Sequence, residues 1–306
     1  AATDNGLYRS TDGGNTWNKI TVAPLPNPNF TNVGRIGLAI HINDPNIVYA
    51  LFTDGYNIIS LYRSNDFGIS WTNADTDNEL SGGTAGFSWY FGQVRVHPTN
   101  PNIVYVMDVA FMRSTDGGNN WPIQYGYGGP SELHVDHHAM AFNPLDPNFI
   151  INGNDGGINV STNGGQTFSL PKNIPATQFY EIGLDYNNPE KLYGGTQDNG
   201  TNRTPDGSVD NWENIWGGDG FYVLVDAESQ YGALVRSTDG GFGWLDGTYG
   251  IDASEPTNWS TPVIMDPNSS NVLYYGTHSL YRTTDGANNW TKISPQLTDW
   301  VSGRRL

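Results

Sequence analysis

The chain has 306 residues and no cysteine. That excludes disulfides and thiolate metal sites, and it suits a cytosolic or a bacterial extracellular protein. Basic residues are scarce: 14 Lys and Arg stand against 31 Asp and Glu, a formal net charge of −17. A surface so acidic repels a nucleic-acid backbone, so nucleic acid is excluded as a partner. No run is apolar enough to span a bilayer. Ala1-Ala2-Thr3-Asp4 carries no basic, apolar leader, so a targeting segment would lie outside this stretch. Charged residues are only 15% of the chain, too few for a disordered acidic segment.

Glycine (38), proline (18) and aromatics (13%) are plentiful, as many short strands and tight turns require. Much of the glycine falls in one repeated stretch. Arg9-Ser10-Thr11-Asp12-Gly13-Gly14-Asn15-Thr16-Trp17 returns around Asp66, Asp116 and Asp239, each copy closing on a Trp. Looser copies centre on Asn163, which closes on Phe168, and on Asp285. A degenerate copy, one residue longer, runs from Thr204 through Asp206 to Trp212. Ser and Asp side chains bond backbone N–H groups a few residues on and fold the chain tightly. Glycine supplies backbone angles that other residues resist, and the closing Trp brings a large apolar ring to the core. An apolar pair precedes most copies, as in Leu7-Tyr8, Leu61-Tyr62 and Leu280-Tyr281, so each copy reads as a hairpin turn. Asp12, Asp66, Asp116, Asn163, Asp239 and Asp285 are therefore structural residues.

Between these turns a second pattern recurs: an apolar strand, an Asn/Asp-Pro turn, then a second strand that in most copies carries Val-Tyr or Leu-Tyr. Examples are Ile36–Ile40 with Asp44-Pro45 and Val48-Tyr49, and Val94–Val96 with Asn100-Pro101 and Val104-Tyr105. One repeat is then four strands, and repeated radially that is a propeller blade. The expectation is an all-β fold, a single β-propeller domain over 1–306 with about seven four-stranded blades and negligible helix. Residues 1–20 supply only the outer half of a first blade, which a strand donated from elsewhere would complete. The repeat near Asp226–Glu228 is short: either that blade is reduced or a stretch is omitted there, and the intact third strand Gly232-Ala233-Leu234-Val235-Arg236 favours omission.

The repeated turn resembles the Asp-box, or bacterial neuraminidase repeat, found on propeller blades of sialidases, xyloglucanase-like glycoside hydrolases, sortilin-type receptors and photosystem assembly factors. The resemblance implies a propeller and places the boxes away from the ligand face. A sialidase is a poor match. The family's Phe-Arg-Ile-Pro motif is represented only by Gly34-Arg35-Ile36-Gly37. Five of the ten Arg are taken up just before boxes, leaving Arg35, Arg95, Arg203, Arg304 and Arg305. The xyloglucanase-like families carry two such propellers, so this chain would cover about half of one. The stretch from His134 to Asn199 is similar to secreted bacterial Asp-box proteins labelled glycosyl hydrolases by fold.

In such a fold, loops entering the innermost strands and loops between second and third strands share one face near the axis. They hold Trp89, Tyr90, His134, Asp136, His138, Gln178, Tyr180, Asp219 and Trp259, together with Gln197, Asp198 and Glu228. Rings beside amides and acids suit sugars, which stack one face on a ring and offer hydroxyls to polar groups. The candidate ligand residues are Trp89, Tyr90, His134, His138, Gln178, Tyr180, Gln197 and Trp259. The candidate catalytic carboxyls are Asp136, Asp198, Asp219 and Glu228, two of which would have to face each other across a sugar. Plainer readings stand beside these. Alternation puts His134, Asp136 and His138 on one side of an extended strand, where they form a hydrogen-bonded cluster or, less simply, a metal site. Asp155 and Asp198 suit turns, Asp219 between glycines suits a turn or a ligand, and Trp89-Tyr90 suits packing between blades or stacking. No cofactor is implied; a run of acids would suit calcium, but no twelve-residue calcium loop is present. The expected function is carbohydrate binding on this face by a bacterial protein outside the cell or on its surface. Glycoside hydrolysis or a structural, protein-binding role are the alternatives. With so few bases to pair with anions, the expected partner is a neutral glycan or an extracellular protein.

Overall fold

The computed structural model describes residues 1–27, 32–83, 85–126, 133–170, 177–185, 188–225, 227–230, 233–237, 239 and 241–298. The chain divides into two compact units, Ala1–Ile174 and Pro175–Leu306.

The first unit holds four antiparallel sheets in chain order. The first is β1 (Ala2–Thr3), β2 (Gly6–Arg9) and β3 (Asn18–Ile20). The second is β4 (Ile36–Ile40), β5 (Val48–Thr53), β6 (Ile58–Ser64) and β7 (Thr72–Asn73). The third is β8 (Gln93–His97), β9 (Asn100–Met107), β10 (Phe111–Ser114) and β11 (Ile123–Tyr125). The fourth is β12 (His137–Asn143), β13 (Asp146–Asn154) and β14 (Gly157–Ser161), with a single bridge from Val160 to Ser169 where a fourth strand would run. The second unit holds three four-stranded sheets. They are β15 (Glu181–Leu184), β16 (Leu192–Gly195), β17 (Thr201–Thr204) and β18 (Glu213–Trp216); then β19 (Val223–Leu224), β20 (Ala227–Gln230), β21 (Ala233–Arg236) and β22 (Leu245–Asp246); then β23 (Val263–Asp266), β24 (Ser269–Gly276), β25 (Leu280–Thr283) and β26 (Thr291–Lys292). Each sheet is an up-and-down meander, strands pairing in the order they occur. Such meanders in succession are propeller blades, and the chain is an all-β β-propeller.

Sheet-on-sheet packing explains why the second strands read as continuous apolar runs rather than alternating ones. All six residues of β5 are buried. Tyr49, Leu51 and Leu61 meet Val94, Val106 and Met112 of the next sheet in one cluster, and Tyr105, Met107 and Phe111 meet Met140, Ile150 and Phe168 in the next. Val263, Leu273, Tyr275, Tyr281 and Trp290 form a core in the second unit. Each such side chain contributes roughly 1.5–3 kcal/mol on burial.

The repeated turns are built from side-chain bonds. Ser114 Oγ donates to Asp116 Oδ1 at 2.8 Å and accepts the Gly118 N–H at 2.9 Å. Asp116 Oδ1 accepts the amides of Asn119 and Asn120 at 3.1 and 3.0 Å. The Asp66 and Asp239 turns repeat the pattern, and Asn163 serves through its carbonyl oxygen. In the longer copy Asp206 bonds Ser208 N and Asn211 Nδ2. Hydrogen bonds from Thr16 and Ser70 hold the Asp12 and Asp66 carboxyls down at about 2. The closing rings Trp71, Trp121 and Trp290 are buried, whereas Trp17 is half exposed.

Two expectations need correction. The first sheet has three strands rather than two outer ones, because Ala2–Thr3 pairs with Gly6–Leu7. The repeat near Asp226 still forms four strands, shortened to two residues in β19 and in β22, so it is a reduced blade; Asp226 and 299–306 lie outside the described residues. Among the described residues helix is confined to a 3₁₀ turn at Glu79–Gly83 and one helical turn, α1 (Ser88–Phe91), in the loop entering β8.

Candidate functional site

In the first unit, loops entering one sheet bond the loop between the second and third strands of the sheet before it. The Ser88 amide donates to the Tyr56 carbonyl at 3.1 Å. The Asp136 and His137 amides donate to the carbonyls of Val109 and Asp108 at 2.9 and 3.1 Å. These bonds pull the loop carrying Asp108 beside the loop carrying His134–His138.

The expected alternation fails there. Strand β12 starts only at His137, and Asp136 has a left-handed backbone with φ 66°. Asp tolerates that region better than most residues, yet it is a strained placement of the kind that gathers at functional sites. Asp136 and His137 are both buried, while His138 is exposed. Burial, then the neighbouring Asp155 carboxylate, pushes Asp136 up to about 6, against the nearby His134 and His138. A carboxylate oxygen of Asp136 lies within 4.8 Å of one of Asp155. Asp155, read from sequence as a turn residue, faces His138 Nε2. His134 packs its ring over Gly156, where a Cβ would sit 2.5 Å from the His134 Cβ. His137 is drawn inward instead: its Nδ1 bonds Asn152 Oδ1 at 2.9 Å, and burial lowers it to about 4, so it stays neutral.

Sequence reasoning missed Asp108. It is fully buried and pushed up to about 6 by burial, against the Ser88 hydroxyl, the Val109 amide and Arg35. A signal was present, since Asp54, Asp108, Asp155 and Asp198 occupy matching places just beyond the second strand of their repeats.

The wall of this site is aromatic. Trp89 and Tyr90 are 53% and 51% exposed, with ring centroids 5.6 Å apart. Tyr90 and Phe91 approach the His138 ring edge-on at 5.9 and 5.3 Å. Arg35 Nη1 donates to the Tyr90 carbonyl, and Gln93 Nε2 donates to the His138 carbonyl at 2.9 Å.

The second unit brings together another set. The Asp198 amide donates to the buried Asp219 carboxylate at 2.8 Å, and Asp198 too is left-handed, with φ 60°. Tyr180 Oη donates to Gln197 Oε1. Tyr180 stacks on Phe221 at 5.3 Å, and Trp259 meets both rings edge-on. Gly195 is obligatory here, since a Cβ would fall 2.2 Å from the Phe221 carbonyl oxygen. Gln178 is exposed, and the Glu228 side chain lies outside the described residues.

Fold and site together define a β-propeller with aromatic, acid-rich loops. No family model matches the chain. Over 94% of its residues it is 26% identical to a xyloglucanase from a Paenibacillus species, of which it covers 31%. A xyloglucanase of Acetivibrio thermocellus is 30% identical over 45% of this chain and 18% of the relative. The chain thus spans a third or less of the length of these curated relatives. Among solved structures it resembles a xyloglucanase of Xanthomonas campestris (TM-score 0.44, 16% identity, 95% of this chain and 43% of that one). It also resembles YCF48 with a bound D1 peptide (TM-score 0.39, 13% identity, 95% and 76%). Among the described residues no helix is long and apolar enough to cross a membrane.

Proposed function

We propose that the chain is a carbohydrate-binding propeller acting outside a bacterial cell, with its site around Trp89, Tyr90, Asp136 and Asp155. The observation that carries this reading is the open Trp89–Tyr90 ring pair beside the Asp136–Asp155 carboxyls and His138. Rings take the apolar face of a pyranose, and the acids and imidazole take its hydroxyls. Similarity to xyloglucanases along nearly the whole chain supports a glycan ligand, and the acidic balance supports one whose stacked backbone is neutral. Tyr180, Gln197 and Trp259 offer the second unit a surface of the same kind. The repeated turns are assigned to the Asp-box, and the seven sheets to seven blades.

One observation favours hydrolysis as the second reading. Asp136 holds its proton up to about pH 6 while a second carboxylate stands within 4.8 Å. Asp136 would protonate the glycosidic oxygen and Asp155, oriented by His138, would act at the anomeric carbon. Carboxyls this close lie nearer the spacing of retaining enzymes, about 5–5.5 Å, than the wider spacing of inverting ones.

Calorimetric titration with neutral β-1,4-glucan and xyloglucan oligosaccharides tests binding. Trp89→Ala should weaken it by roughly tenfold or more, since one stacked ring is worth about 1.5 kcal/mol. Its melting temperature should stay put, because the ring is half exposed. Equal affinity of variant and parent defeats the reading. Release of reducing ends by the parent, lost in Asp136→Asn, separates hydrolysis from binding alone.

A further inference from the structure

We propose that the groove between the first and second sheets is a peptide-docking site. Its occupant is an extended, alternately apolar strand of another polypeptide, which adds to the first sheet beside Arg9 and Ser10. The proposal is independent of the glycan-binding reading.

Register defines the open place. In the second sheet Tyr49 faces Arg63 and Val48 faces Ser64; in the third Tyr105 faces Arg113 and Val104 faces Ser114. Tyr274 with Arg282 and Leu273 with Thr283 repeat the pairing in the second unit. Arg9-Ser10 hold the matching place in the first sheet. There Ala2 faces Leu7, and Ala1 and Tyr8 exchange both backbone bonds at 2.9 Å. Bonded rungs alternate along an antiparallel pair. Ser10, two residues beyond Tyr8, therefore presents its N–H and C=O to the open side, and neither has a backbone partner among the described residues. Arg9 Nε is buried with no partner, whereas Arg63 and Arg282 lie over the Tyr49 and Tyr274 rings at 5.5 and 6.0 Å.

Packing points to the same occupant. Counted back from His41 and His97, Leu38 and Ile40 of β4 hold the places of Val94 and Val96 in β8. Val94 and Val96 are 1% and 8% exposed, clustered with Tyr49 and Leu51 of the sheet before. Leu38 and Ile40 are 38% and 57% exposed. With Tyr8, Trp17, Phe67 and Trp71 they line a cavity of about 190 Å³. Phe67 is a strained wall. Its amide donates to the Asn46 carbonyl just as those of Gly117, Gly164 and Gly286 donate to Asn102, Asn148 and Asn271. It also takes their left-handed backbone, with φ 64° against 80°, 68° and 67°. Glycine adopts that conformation freely and Phe does not. A half-exposed ring is thus held at the groove against its backbone preference, as strained residues at binding sites are. A flat protein face would cover these side chains but leave the Ser10 groups unbonded. An added strand satisfies both, its main chain pairing with the sheet and its alternate side chains filling the groove.

Calorimetric titration of the whole chain with a synthetic peptide of the sequence Gln93–Met107, the first two strands of the third sheet, tests this. The control peptide carries Val104→Ser, Tyr105→Ser and Val106→Ser. The parent should bind the first peptide at least roughly tenfold more tightly than the control. Ile40→Asp and Phe67→Gly should each weaken that binding by roughly tenfold or more. Ile40 is exposed, so Ile40→Asp should stay folded, and Phe67→Gly relieves strain, so its melting temperature should not fall. Hydrogen exchange should show the Ser10 amide protected only when the peptide is present. No binding, equal binding of the two peptides, or an affinity unaltered in either variant overturns the proposal. So does a Ser10 amide already protected in the parent alone, or a dimer that Ile40→Asp dissociates, because either shows the groove already filled.

Discussion

Removing the Asp116 carboxylate tests how the repeated turns hold the sheets. In the native turn this group accepts four hydrogen bonds: from Ser114 Oγ at 2.8 Å, from the Asn119 and Asn120 amides at 3.1 and 3.0 Å, and from Asn120 Nδ2 at 2.6 Å. Asn119 and Asn120 are exposed, so in Asp116→Ala water resolvates their amides and each bond costs its modest net value. Ser114 Oγ keeps the buried Gly118 N–H. Part of the turn is thus retained, and the loss should be about 1–2 kcal/mol rather than the sum of four bonds. For a unit of this size that lowers the melting temperature by roughly 2 to 8 °C. Asn163 shows what Asp116→Asn should do: its carbonyl oxygen still takes the Ser161 hydroxyl and the amides of Gln166 and Thr167. Only the bond from Asn120 Nδ2 would be lost, so Asp116→Asn should cost clearly less than Asp116→Ala. Scanning calorimetry and near-UV circular dichroism, which reports the buried Trp121 ring that closes the turn, provide the readout. An unchanged melting temperature in Asp116→Ala, or an equal loss in the two variants, would refute the reasoning.

Other outcomes follow from the same contacts. Asp108 sits at about 6, above its ordinary value of 3.8, so the folded state holds this proton more tightly than the unfolded chain. It contributes stability below about pH 4 that is lost as pH rises through 6. The melting temperature of Asp108→Asn relative to the parent should therefore climb between pH 4 and 7, and a flat difference counts against the burial assigned to that carboxyl. Asp66 is held at about 2, so its contribution is present above pH 4 and lost as pH falls towards 2. Asp66→Asn should flatten that acid limb of a melting-temperature profile, and an unaltered limb would contradict it.

Much of the architecture was legible because its causes are local. A Ser/Thr-x-Asp turn satisfies its own amides within five residues, so the copies around Asp66, Asp116 and Asp285 are specified locally. Asn-Pro and Asp-Pro punctuation and the buried Val-Tyr strands then set the meander of each sheet. Local pattern misled where a loop's shape depends on its neighbour. His134-Val135-Asp136-His137-His138 reads as an alternating strand. Hydrogen bonds from Asp136 and His137 to the Asp108–Val109 turn impose a left-handed step instead, which drives Asp136 and His137 inward and leaves His138 out.

The sequence by itself determined the class: all-β, a chain of meander sheets joined by side-chain-capped turns, acidic and free of cysteine. Periodicity and turn chemistry act over a few residues, which is the range a sequence displays directly. Tertiary structure alone decided which acids matter. Asp54, Asp108 and Asp155 hold the same place in their repeats, yet Asp54 caps its own turn, Asp155 faces His138, and Asp108 is sealed beneath Ser88 and pushed up to about 6. The cost of burying a charge and the reach of a neighbouring charge depend on distance through space, which folding sets between residues as far apart in the chain as Arg35 and Asp108.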